Sequence, residues 1–156
     1  MTRPVDHAAL RTNQAFIIGL LALAFVVDLE ALVVFVAAVM AIGTIWPRLG
    51  LFQAIYRGVL RDRLIKPDVL HDNPEPHRFS QGFGAVVLGV ALILFSSGWA
   101  AAAWSVVGVV VLLASINLFA GFCAGCFLYY WLARLEAPGF VATPIEGTLP
   151  GMRPGI

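Results

Sequence analysis

Three stretches of this sequence contain no Lys, Arg, Asp or Glu: residues 12–27, 31–47 and 79–133. A bilayer core takes about 20 mostly apolar residues per helix, so these gaps hold one crossing, one crossing and a pair. The chain is 60% apolar and 12% charged, against about 25% charged in an ordinary soluble domain, which argues against a soluble monomer. The expected class is an all-α integral membrane protein with four transmembrane helices, over about 13–28, 30–46, 80–95 and 100–131. These form a membrane domain over residues 1–137, with 47–79 as a loop within it and 138–156 as an extended, mobile tail.

A formal net charge of +1 supplies no basic surface for nucleic acid. The segments left outside the bilayer are too small for a separate catalytic domain of about 50 residues, so any chemistry must sit on the bundle. The ten cations are distributed with a clear bias. Arg3 and Arg11 precede the first helix, Arg48, Arg57, Arg61, Arg63, Lys66 and Arg78 lie between the second and third, and Arg134 and Arg153 follow the fourth. Positively charged segments are retained in the cytoplasm, so both termini and the middle loop are expected there. Asp28, Glu30 and the Ser96 turn then face outward, in a multi-pass protein of the cytoplasmic membrane whose first partner is the lipid bilayer. A signal peptide is the competing reading of the first run, because Arg3 and Arg11 precede an apolar segment containing Ala22-Leu-Ala24.

The halves resemble copies of one hairpin. Arg11-x-x-Gln14-x-Phe16 recurs as Arg78-x-x-Gln81-x-Phe83, and Leu51-Phe52 recurs as Leu118-Phe119, both at an offset of 67. A unit that crosses twice and returns gives parallel repeats. Coincidence is the alternative, with Arg snorkelling and Gln capping. Residues 57–77, with Pro67, Pro74 and Pro76, read as an irregular loop after a short amphipathic continuation over 51–60.

The two cysteines, Cys123 and Cys126, form a CxxC within Gly121-Phe-Cys-Ala-Gly-Cys-Phe127. Two cysteines placed at random in this chain would fall three apart about once in eighty cases, which favours a coupled pair. On one continuous helix, positions i and i+3 share a face, so the thiols can close a disulfide, pass a sulfur atom or grip a metal. The pair lies at the inner end of the fourth helix, before the Tyr129-Tyr-Trp131 belt. A reducing compartment there favours a cycling dithiol, a persulfide carrier or a metal ligand over a static disulfide.

Gly121 and Gly125 form a Gly-x-x-x-Gly that lets another backbone approach, with packing alone as the bland reading. Asn117 is a candidate interhelical hydrogen-bond partner or a site residue. Asn13, Gln14, Ser80 and Gln81 begin helices level with the cysteines, as the border of a polar vestibule or as caps. Arg11 and Arg78 could lower a thiol pKa or bind an anion, or simply anchor at the interface. His71 and His77, beside Asp72 and Glu75, could complete a metal site with Cys123 and Cys126, although no spacing rule brings them together. No phosphate loop, nucleophile elbow or intramembrane carboxylate pair is present.

Asp6-His-Ala-Ala-Leu-Arg-Thr-Asn-Gln14, Pro47-Arg-Leu-Gly-Leu-Phe52, Lys66-Pro-Asp68, Asn73-Pro-Glu-Pro-His-Arg-Phe79 and Asn117-Leu-Phe-Ala-Gly-Phe-Cys-Ala-Gly-Cys-Phe127 resemble the uncharacterised bacterial membrane family called domain of unknown function 4395, over about residues 6–135. The resemblance implies a bacterial inner-membrane location and a family CxxC, and supplies no reaction or cofactor. The leading expectation is thiol–disulfide or sulfur transfer by the Cys123–Cys126 dithiol with a cytoplasmic thiol or sulfur-carrier protein. The alternatives are a non-enzymatic assembly subunit or metal-binding scaffold, and transport of a small neutral or sulfur-containing solute.

Overall fold

The computed structural model describes residues 3–46, 51–60, 66–145 and 147–154; Pro47, Arg48, Arg61 and Arg63 of the expected middle loop lie outside them. The protein is 71% helical. Its elements are β1 (Arg3–Asp6), α1 (His7–Val26), α2 (Glu30–Ile45), α3 (Leu51–Ile55) continued by a π-helical turn (Tyr56–Leu60), β2 (Val69–Asp72), α4 (Pro74–Ser96), α5 (Ala100–Ala120) and α6 (Ala124–Arg134).

Helices α1, α4 and α5 are long and apolar enough to cross a membrane, and α2 is a shorter apolar helix. At 1.5 Å per residue its 16 residues reach about 24 Å, less than the ~30 Å of a hydrocarbon core. Among the described residues, three helices are therefore long enough to span where four were expected. Leu21 and Ala24 of α1, Val33 and Val36 of α2, Leu88 and Ala91 of α4 and Ala103 of α5 meet in a fully buried seam. Phe25, Val26, Val86, Ile93, Leu112 and Phe119 point outward. That pattern suits a solvent as apolar as the core.

Two helices begin earlier than expected, each for a reason at its first turn. Asp6 Oδ1 accepts hydrogen bonds from the Ala8 and Ala9 amides at 3.0 and 3.4 Å, so α1 starts at His7 rather than near 13. Pro74 occupies the first turn of α4, where a missing N–H costs nothing, so α4 starts there rather than near 80. The middle segment is correspondingly less irregular than expected. β1 and β2 form an antiparallel ribbon that pairs Arg3 with Asp72 and Asp6 with Val69, a β element inside a fold expected to be all α.

The expected single helix over 100–131 is divided. Gly121 adopts a left-handed φ of 69°, its amide bonds the Asn117 carbonyl at 3.1 Å, and α6 starts afresh at Ala124. Glycine takes this conformation without the Cβ penalty that other residues meet. The tail, expected to be extended and mobile, folds back on this break. The Cys123 amide donates to Gly151 O at 2.8 Å and the Arg153 amide to Gly121 O at 3.0 Å. Arg153 forms an ion pair with Asp68. At the other end of the bundle, Trp104 Nε1 donates to Asp28 Oδ1 at 3.2 Å and joins the two hairpin turns.

Candidate functional site

The starts of α1, α4 and α6 and the end of α5 converge beneath the β1–β2 ribbon. Cys123 is the N-cap of α6 rather than a residue within a helix: its backbone is extended and its Sγ accepts the Cys126 amide at 3.1 Å. Capping brings the Cα atoms to 5.2 Å, and the two sulfurs form a disulfide, within the 4.4–6.8 Å such bonds need. The i, i+3 spacing thus delivers the expected proximity by a different local geometry. Both cysteines are buried, at 4% and 3% exposure.

A polar chain stands behind the sulfurs. His77, in the first turn of α4, has Nδ1 3.5 Å from Cys126 Sγ and Nε2 2.9 Å from Asp72 Oδ2. With the Nε2 hydrogen directed to Asp72, Nδ1 presents its lone pair to Cys126. His7 Nε2 lies 3.2 Å from the same carboxylate oxygen, close enough to attract it but off the line of a hydrogen bond. The two imidazoles meet edge to face with centroids 5.7 Å apart. Burial by itself would raise the Asp72 pKa; the two imidazoles beside it and the Asn73 amide together outweigh it and hold the carboxyl well below its ordinary value.

Close packing fixes this arrangement. A Cβ at Gly125 would stand 2.6 Å from Ser80 Cβ and 2.8 Å from Ser80 Cα, so only glycine lets α6 lie against α4 here. Ser80 Oγ is 3.4 Å from Cys123 Sγ. The Asn73 amide group donates to Thr143 O at 2.9 Å and to Tyr130 Oη at 3.3 Å, tying the tail and α6 to the start of α4. At Gly151, φ is 83°, and a Cβ would fall 2.9 Å from both Cys123 O and Phe127 Cβ.

The sulfurs line a cavity of about 620 Å³. Arg11, Asn13, Gln14, Ser80, Gln81, Asn117, Gly121 and Gly125 also line it, so the expected vestibule residues are brought together. Ile17, Val87, Val110 and Leu113 extend the cavity toward the middle of the bundle with an apolar wall.

Two expected site residues are placed elsewhere. Arg78 turns away and donates to Thr44 O at 2.9 Å near the end of α2. His71 is exposed on β2, opposite Pro4, because strand side chains alternate and Asp72 takes the inward position. The metal set with His71 is therefore not assembled, whereas His77 does reach the cysteines. His7 was missed. Its signal was its place directly behind a helix-capping Asp6, which puts an imidazole at the start of α1.

No curated protein and no solved structure matches this chain. The model of the family described as Domain of unknown function (DUF4395) matches residues 5–134, the part that holds β2, half of β1, the six described helices, both cysteines, His7, Asp72 and His77. The chain belongs to that family.

Proposed function

We propose that this protein is a membrane-embedded thiol–disulfide exchange protein in which Cys123 attacks and Cys126 resolves. The observation that carries the reading is a CxxC closed at a helix N-terminus with the His77–Asp72 pair directly behind its second sulfur. A thiolate at the Cys123 N-cap gains from the helix dipole and from the Cys126 amide. In the half-cycle that reduces a partner disulfide, the Cys123 thiolate attacks that disulfide, forming a mixed disulfide and releasing one thiolate, which takes up a proton. His77 Nδ1 accepts the Cys126 proton. The Cys126 thiolate then attacks Cys123 Sγ, closes the internal disulfide and expels the second thiol, which receives that proton. One dithiol and one disulfide become one disulfide and two thiols, and the reverse sequence runs with a reducing partner.

The same reading places the site end of the bundle, both termini and the middle loop in the cytoplasm, with α2 completing four crossings in a bacterial cytoplasmic membrane. The cation distribution supports this orientation. The partner is a thiol or disulfide compound, or a thiol-bearing protein, on that side. Two parallel hairpins fit the repeated order of strand, long helix, helix and short helix.

The test uses the purified full chain in lipid nanodiscs, equilibrated in glutathione buffers of graded potential and trapped with a mass-tagged maleimide. The expected result is a single two-thiol titration, with Cys126→Ser accumulating a mixed disulfide at Cys123. His77→Gln should slow closure of the internal disulfide without changing the rate at which Cys123 is alkylated. A pair that stays closed across the range, or a Cys126→Ser chain that captures no glutathione, overturns the reading in favour of a structural clip.

A further inference from the structure

Redox exchange uses the sulfurs one after the other, but the geometry around them points to a second capacity. We propose that the reduced protein binds one thiophilic divalent cation, of the class of Zn2+, through Cys123 Sγ, Cys126 Sγ and His77 Nδ1. The ligand atoms of these three residues lie within 4.8 Å of one another. A tetrahedral ion with Zn–S near 2.3 Å and Zn–N near 2.0 Å holds its ligand atoms roughly 3.5–3.8 Å apart. The 3.5 Å between Cys126 Sγ and His77 Nδ1 already meets that spacing. Opening the disulfide lets the sulfurs separate to it without moving the Cα atoms, which stand 5.2 Å apart.

Three features of the surroundings favour a metal. Ligating histidines commonly donate their far N–H to a carboxylate, which fixes the tautomer and strengthens the ligand; His77 Nε2 and Asp72 Oδ2 are 2.9 Å apart in that arrangement. Charge is the second feature. Two thiolates in a buried site are costly, whereas two thiolates, one neutral imidazole and a divalent ion sum to zero. Binding is balanced as two thiols plus Zn2+ giving a bis-thiolate complex and two released protons. The third is room: the cavity beside the sulfurs leaves the fourth position to water or a small ligand, as in open rather than closed zinc sites. The metal form and the disulfide form exclude each other, so the ion would hold the dithiol out of exchange.

The experiment incubates reduced, reductant-free protein in nanodiscs with Zn2+ alone, and in parallel with Co2+ as an optical probe. One ion per chain is expected, with thiolate-to-cobalt charge-transfer bands and tetrahedral visible bands. The oxidised chain and the Cys123→Ser/Cys126→Ser chain should take up none, His77→Gln should lose the imidazole ligand and most of the affinity, and Asp72→Asn should weaken binding about 10–100-fold. Helix content by circular dichroism and a monodisperse elution profile show that each variant is folded. Binding that survives loss of both cysteines assigns the ion to His7, Asp72 and His77 and overturns the proposal. So does binding that is indifferent to His77→Gln, or a reduced wild-type chain that takes up no metal. The glutathione titration of the metal-free protein reads the exchange function separately, so either idea can fail alone.

Discussion

The two halves of the chain follow the same element order and end in different chemistry. Displaced by 67 residues, Cys123, Cys126 and His77 fall on Tyr56, Val59 and Leu10. In the first half, Phe52 stacks on Phe16 with centroids 5.2 Å apart and planes within 9°, and Tyr56 donates to Asp6 Oδ2 at 3.1 Å. Phe52 and Tyr56 are buried to 3% and 0% exposure. In the second half, the positions at that offset supply two sulfurs and an imidazole to the cavity wall. One half is plugged by aromatic packing and the other is left open where reactive groups gather.

The largest expected effect tests the plug. Phe52→Ala should cost about 3–5 kcal/mol, the usual price of emptying a buried aromatic position. Reducing the Cys123–Cys126 disulfide, which closes a very short loop, should cost about 2 kcal/mol or less. Denaturant unfolding in mild detergent, with and without reductant, measures both. A larger loss on reduction than on Phe52→Ala would reverse the assignment of which half stabilises and which reacts.

The comparison also shows what the sequence could and could not disclose. Charge-free runs are long-range signals, and they located α1, α2, α4 and α5 because lipid leaves little freedom over where charge can sit. The offset of 67 is a weaker guide. It pairs Gln14 with Gln81, which line one cavity, but it also pairs buried Phe52 with Phe119, which is 83% exposed at the end of α5. The break at Gly121 was hidden inside an unbroken apolar run, because apolar residues suit a lipid-buried helix and a helix end equally well. His7 joined the site only through β1–β2 pairing, a contact between segments more than sixty residues apart that no local pattern encodes. The inward turn of Asp72 and the outward turn of His71 follow from strand alternation, in a segment whose proline content suggested a loop.

A second, smaller test compares glycines at the same offset. Gly58 has nothing within 4 Å of an added Cβ, whereas Gly125 would meet the backbone of Ser80. Gly58→Ala should therefore be near neutral. Gly125→Ala should cost about 1–3 kcal/mol, the range for overpacking a tight contact, and should slow internal disulfide closure by pushing α6 away from His77. Unfolding midpoints and maleimide-trapped closure rates check both. Equal effects at the two positions would mean that close α4–α6 approach does not set the site.

The smallest effect separates two caps that also stand 67 residues apart. Asp6 caps α1 directly and accepts the Asp68 amide at 3.2 Å as well as the Tyr56 hydroxyl, so it holds the first half together locally. Asn73 stands before α4 and makes no side-chain cap. Its amide group instead reaches Thr143 O and Tyr130 Oη, which anchors the tail that crosses Cys123. Asn73→Ala should leave helix content unchanged and lower stability by about 1 kcal/mol, the net worth of a neutral hydrogen bond. If that loss falls on docking of the tail, the population with the tail released rises about fivefold, because 1.4 kcal/mol is a factor of ten in an equilibrium constant. Alkylation of Cys123 in the reduced protein should accelerate by the same factor, since local opening sets access to a buried thiol. An unchanged alkylation rate would mean that the tail does not guard the sulfur, and that reagents reach Cys123 through the cavity alone.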